Sequence, residues 1–146
     1  MQNYHRILVA SDLSPASHLL IEKALHIAQQ DIQKINLMHV INYPPTLYGS
    51  SEFAIPLDPE LEQSLFKQAK HNLEEQGAAF GLSAERLHII EGTASHCIIG
   101  LAKDLQADLI VVGGHDKHGL ALLFGSTANT ILHAMPCDIL TVRIDE

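Results

Sequence analysis

The 146-residue chain has no tryptophan, and only 5% of its residues are aromatic. Proteins that bind single-stranded nucleic acid stack bases on aromatic side chains, and that platform is missing here. Basic residues are scarce as well: 9 Lys and Arg stand against 17 Asp and Glu, for a formal net charge of −8. Phosphate backbones demand the opposite balance, so OB-like and RRM-like readings fall with it. No apolar run nears the roughly 20 residues that span a bilayer. Met1 to Arg6 passes straight into an apolar run, leaving no room for the apolar core of a signal peptide. The 2 cysteines, Cys97 and Cys137, make neither a CxxC pair nor a disulfide framework. Each is expected to act as a small buried hydrophobe. These absences predict a cytoplasmic protein with no nucleic-acid or membrane partner, and the length predicts a single domain, 1–146.

What is present is a regular alternation of strand and helix signals. Arg6 to Ser11 is the first β-branched apolar run, followed by Ser14-Pro15 as N-cap and first helical residue. Ala16, Leu20, Ala24, Ile27 and Ala28 recur at helical spacing towards Gln30. Ile35 to Ile41 is the second strand. The stretch Asn42 to Leu57, broken by Pro44, Pro45, Gly49 and Pro56, reads as a long irregular connection. Asp58-Pro59 repeats the cap-plus-proline signal before a long amphipathic helix towards Phe80. Leu87 to Glu91 is the third strand, and a helix from Gly92-Thr93 to Leu105 follows. Asp108 to Gly113 is the fourth strand, Ser126 to Met135 the fourth helix, and Ile139 to Ile144 the last strand. Strands alternating with helices imply parallel βαβ units, hence an α/β doubly wound sheet of five strands with helices on both faces. The nearly unbroken apolar character of strands one and four fits burial on both sides.

Such sheets bind ligands at strand carboxyl ends, here Asp12, Val40 to Ile41, Gly92 and Gly113-Gly114. The segment Leu109 to Leu132 is the most informative. An apolar strand reaches two glycines, a His-rich loop follows, and Gly125-Ser126-Thr127 opens a helix. Strand, glycine loop and helix N-terminus together form a frame in which bare amides and a helix dipole meet an anion. The plainer readings are a βα loop and an ordinary N-cap.

ILVASDLSPAS, LMHVI and ADLIVVGGHDKHGLALLFGSTANTILHAMPCDILTV resemble the bacterial universal stress protein (UspA-like) family over essentially the whole chain. The resemblance implies a Rossmann-like sheet of order 3-2-1-4-5, cytoplasmic stress physiology, and a homodimer joined through the C-terminal strand, residues 138–144. It also implies two kinds of member: those that bind ATP or another adenine nucleotide such as AMP, with Mg²⁺ where a triphosphate binds, and those that bind none. In binding members a G-x-x-G-x9-G-S/T motif follows the fourth strand. Gly113 matches its first glycine and Gly125-Ser126 its final pair, but Asp116 stands in place of the second glycine, and 8 residues instead of nine separate it from Gly125. Asp12 matches the acidic residue facing the nucleoside, and Val40 the backbone position beside the adenine.

Asp116 sets a carboxylate where a phosphate would lie. Two unit charges about 5 Å apart at an effective dielectric near 20 repel by roughly 3 kcal/mol, more than a hundredfold in affinity. His115, Lys117 and His118 supply nearby cationic side chains, and a shared Mg²⁺ is a further offset. Asp12 has an equally good reading as a turn residue before Ser14-Pro15. His115-x-x-His118 around Asp116 falls short of the ligand set of a zinc site, so no metal site is expected. Tyr43, Tyr48 and Phe53 are candidates to cover a purine ring or to pack their own loop. Neither G-x-x-x-x-G-K-[ST] nor G-x-G-x-x-G occurs, and Ser126 sits in no G-x-S-x-G elbow. The chain is therefore expected to bind and not to catalyse, with slow ATP hydrolysis at most. The competing expectation is an interaction module with no small ligand.

Overall fold

A computed structural model describes residues 3–41, 58–115, 134 and 136–144. The strands are β1 (Ile7–Ala10), β2 (Ile35–Ile41), β3 (Leu87–Glu91), β4 (Leu109–His115) and β5 (Asp138–Ile144). The helices described are α1 (Ser17–Ile27), α2 (Pro59–Ala79) and α3 (Ala94–Leu105). The strands form one sheet of order β3-β2-β1-β4-β5, every pair parallel. That is the doubly wound arrangement the alternation predicts.

Side chains leave a strand on alternate faces, and the two faces feed different cores. Ile7, Val9, Ile35, Leu37, Leu109 and Val111 pack with Leu20, Ile21 and Ala24 of α1 and Leu73 of α2. Leu8, Met38, Ile110 and Val112 pack on the other face with Ile98 and Ala102 of α3. Ile7, Leu8 and Val9 are all at 0% exposure, so β1 is apolar throughout because neither of its faces meets water.

Two local expectations need correction. Ser14 does not cap α1. Its amide and hydroxyl both turn back to Asp12, and the chain enters the helix through tight bonds from Ser17 N–H to Ser14 C=O (3.0 Å) and His18 N–H to Pro15 C=O (3.2 Å). Regular helix starts only at Ser17. The fourth strand does not stop at Gly113 either. It runs on to His115, because β5 stays in register beside it until His115 meets Ile144. By contrast, Asp58-Pro59 does start α2, with Glu60 N–H bonded to the Asp58 carboxylate at 3.0 Å. Cys97 and Cys137 are free thiols, each half-buried instead of fully inside. The long connection 42–57 and the predicted fourth helix, apart from Ala134, lie outside the described residues.

Candidate functional site

The strand order reverses at β1, with β2 and β3 on one side and β4 and β5 on the other. Doubly wound sheets open a crevice at this point, at the carboxyl ends of the strands. Its local cause is visible here. β1 is matched to β4 only through Ile7, Leu8 and Val9, while β4 continues beside β5 to His115. β1 therefore ends early, and Ser11 to Ser14 turn away over the rim.

On the β2 side, Ser11 N–H still reaches the Met38 carbonyl at 2.8 Å. Ile41 turns its own carbonyl the other way, to Gly92 N–H at 3.0 Å. Residues along a strand direct their peptide groups to alternate neighbours. Val40, between these two, thus aims its N–H and C=O at the side that β1 has vacated. The carbonyl that would have continued the ladder, Ser11 C=O, accepts instead from His39 Nδ1 at 2.8 Å. Since a carbonyl only accepts, that imidazole carries its proton on Nδ1.

Asp12 stands exposed on the same rim. Its Oδ1 accepts from Ser14 N–H (2.9 Å) and Ser14 Oγ (2.6 Å), closing an Asx turn. The turn role expected for this residue is therefore real. Oδ2 has no partner among the described residues. Leu13 follows with φ +67°, a left-handed conformation that costs a non-glycine residue about 1–2 kcal/mol. Its N–H bonds Ser11 Oγ at 3.0 Å, and its side chain packs on the first core. Both contacts hold the strained turn in place.

Gly113 has a role the sequence did not reveal. A Cβ there would lie 2.5 Å from Ile144 Cδ1 and 3.5 Å from Leu20 Cδ1, so packing between β5 and α1 accounts for the missing side chain. His115 is placed by its backbone as the end of β4. Asp116, Gly125, Ser126 and Thr127 lie outside the described residues, as do Tyr43, Tyr48 and Phe53. The described rim thus brings together Asp12, Val40 and the end of β4. It adds three polar residues that the sequence reading passed over: Ser11, Ser17 and Gln76, all buried. Gln76 follows Leu73 at helical spacing on the buried side of α2, and that position was its only signal.

Elsewhere on the rim, Gly92 (φ +146°) bends the chain into α3, where Cys97 Sγ lies 3.8 Å from the Glu91 carbonyl. Burial raises the Cys97 thiol above its ordinary range and so favours its protonated form. His88 of β3 is displaced the other way. Its half-buried ring, 3.1 Å from Asn36 Oδ1 through Nε2, resists protonation because burial disfavours the charge. Among the described residues, no cluster of three or more His, Cys, Asp or Glu could hold a metal ion, and no helix is long and apolar enough to cross a membrane.

The sequence pattern of the Universal stress protein family matches residues 3–143. The chain is 42% identical over 144 residues to Universal stress protein A homolog 1 of Coxiella burnetii, covering 99% of each protein. Among solved structures it resembles the universal stress protein UspA from Lactobacillus plantarum (27% identity, TM-score 0.71, covering 98% of this chain and 100% of that one). It also resembles a universal stress protein solved in complex with cAMP (21% identity, TM-score 0.55, covering 97% and 98%). A Pseudomonas aeruginosa protein described as a putative universal stress protein matches 95% of this chain, which spans only 47% of that one (23% identity, TM-score 0.68).

Proposed function

Because the chain belongs to the universal stress protein family, we propose that it works by binding and not by turnover, with an adenine nucleotide held in the crevice between β1 and β4. The observation that carries this reading is the Val40 peptide group, whose donor and acceptor face the gap left where β1 ends. An adenine edge presents a ring-nitrogen acceptor next to an amino donor, the complement of that pair. Asp12 Oδ2, without a partner among the described residues, offers an acceptor for a ribose hydroxyl on the same rim. A universal stress protein of the same fold, solved in complex with cAMP, supports the reading. When bound, the nucleotide would supply the phosphate charge that Gly125-Ser126-Thr127 and a shared Mg²⁺ would meet, with His115 and Lys117 opposing the charge of Asp116.

In this reading the protein is cytoplasmic and dimeric. β5 ends the sheet with Ile139 and Leu140 only half-buried, and a strand edge of this kind is a template for pairing. Two copies joined isologously through residues 138–144 would cover it. Sedimentation at micromolar concentration is expected to show a dimer, and a stable monomer there would remove this part.

The test of the site is calorimetric titration with cAMP, AMP, ADP and ATP, each with and without Mg²⁺. Heat is expected with the wild type, with Mg²⁺ mattering most for ATP. Asp12→Ala should weaken binding roughly tenfold to a hundredfold, the worth of a hydrogen bond to a charged group. A second reading, the interaction module without a small ligand, draws on Gly113, whose missing side chain is explained by Ile144 and Leu20 without a phosphate. Absence of both heat and thermal shift at millimolar nucleotide would select it.

A further inference from the structure

We propose that Gln76, on α2 and outside the crevice, is the positioning residue of the β1–α1 turn that presents Asp12. The few protons of a buried cluster set its hydrogen bonds. Ser11, Ser17 and Gln76 are at 6%, 0% and 6% exposure. Ser17 Oγ lies 2.5 Å from the Ser14 carbonyl, which only accepts, so the single Ser17 proton goes there. Gln76 Nε2 lies 2.7 Å from Ser17 Oγ and donates to it, which fixes the orientation of the carboxamide. Oε1 then faces Ser11 Oγ at 2.5 Å and, being nearer than Ser17 Oγ at 3.0 Å, takes the Ser11 proton. Ser11 Oγ, its proton committed, is left as the acceptor for Leu13 N–H at 3.0 Å.

Each bond dictates the next, and the chain ends on the left-handed residue beside Asp12. Gln76 Nε2 also approaches the Ser14 carbonyl at 3.5 Å, so both sides of the turn are tied to the same carboxamide. Of the residues alternative to Gln76, glutamate would face Ser17 with a second acceptor and add a buried charge, and methionine would supply neither partner. This inference rests on the β1–α1 turn being part of the ligand's cradle, and it assigns the turn's geometry to a residue of another helix.

The experiment compares amide hydrogen exchange and ¹H–¹⁵N spectra of wild type, Gln76→Met and Ser11→Ala, with Ile98→Val in the opposite core as a control for general destabilisation. AMP titration of the same four proteins accompanies it. In Gln76→Met and Ser11→Ala, the Leu13 and Ser14 amides should exchange roughly tenfold faster than the fall in global stability explains, and AMP should bind about tenfold more weakly. Ile98→Val should change neither relative to its own stability. If Gln76→Met does not fold, Ser17→Ala removes the acceptor that orients the carboxamide, leaves Leu13 its own acceptor, and decides the matter. Leu13 and Ser14 amides no faster than in the control overturn the positioning role, and so does unaltered AMP affinity in a protein that binds AMP. Wild type that takes up no AMP while those amides still respond overturns the nucleotide reading and leaves the positioning role standing.

Discussion

At the amino rim of the sheet Asp108 closes on its own chain, whereas at the carboxyl rim Asp12 holds a turn and keeps one oxygen without a partner among the described residues. Asp108 accepts His5 N–H through Oδ2 (2.8 Å) and Arg6 N–H through Oδ1 (2.9 Å). Arg6 is in turn bonded to Gln106 at 2.9 Å, and Tyr4 OH donates to Asp138 at 2.7 Å. Both oxygens of Asp108 are consumed in fastening the N-terminal strand to β4. Asp12, at the other rim, takes both its bonds on Oδ1 and from a single residue, Ser14. Next to it Leu13 is strained, and Val40 turns its peptide group into a gap. One rim stabilises the fold, and the other holds groups in place without consuming them.

That contrast can be broken by paired substitutions. Asp108→Ala strips two backbone amides of a charged acceptor at a half-exposed site and should cost about 2–3 kcal/mol, with nucleotide affinity unchanged. For a chain of this length that lowers the melting temperature by roughly 5–10 °C. Asp12→Ala should cost about 1 kcal/mol or less in stability and show its effect in titration instead. Equal losses of stability in the two variants would mean that the carboxyl rim is as structural as the amino rim. Next in size is Gly113→Ala. The added methyl meets the flexible end of Ile144, so about 1–2 kcal/mol of overpacking is expected, read as a lower denaturation midpoint. A neutral result would mean that Ile144 yields without cost, and the packing reason for this glycine would be lost.

The fold was legible because apolar runs of strand length alternate with helical periodicity, and burial on both faces leaves β1 and β4 without a polar stripe. The end of β4 was not legible, because what carries it past two glycines is its match to β5, a contact between distant segments. Ser14 misled because its hydroxyl had two competing uses, and the aspartate two residues earlier took it from the helix amides. Asp12 and Val40 were reached as strand carboxyl ends, and family resemblance gave them their roles. The vacated side of β2 depends on where β1 stops relative to Met38, which no local pattern encodes. Gln76 was out of reach for the same reason: a glutamine on a helix gains meaning only when the fold sets it against Ser11 and Ser17.

The two cysteines sharpen the comparison, since each reports one rim. Burial alone raises the Cys97 thiol near the carboxyl rim. At the amino rim, burial raises Cys137 and the carboxylates of Asp138 and Asp108 raise it further, from near 9 up to about 11. Because the thiolate is the nucleophile, alkylation followed residue by residue by mass spectrometry should find Cys137 with about 100-fold less thiolate than an ordinary thiol below pH 9. Its rate should still be climbing as pH approaches 11. The folded chain keeps this proton longer than the unfolded chain does, so the thiol's contribution to stability is complete below about pH 9 and is lost as pH rises towards 11. The loss should be small, because the site is partly exposed, and Cys137→Ser should flatten it. Coincident titration of the two thiols would show that burial and the carboxylates of Asp138 and Asp108 together do not set Cys137 apart, and the amino rim would then lose this distinction from the carboxyl rim.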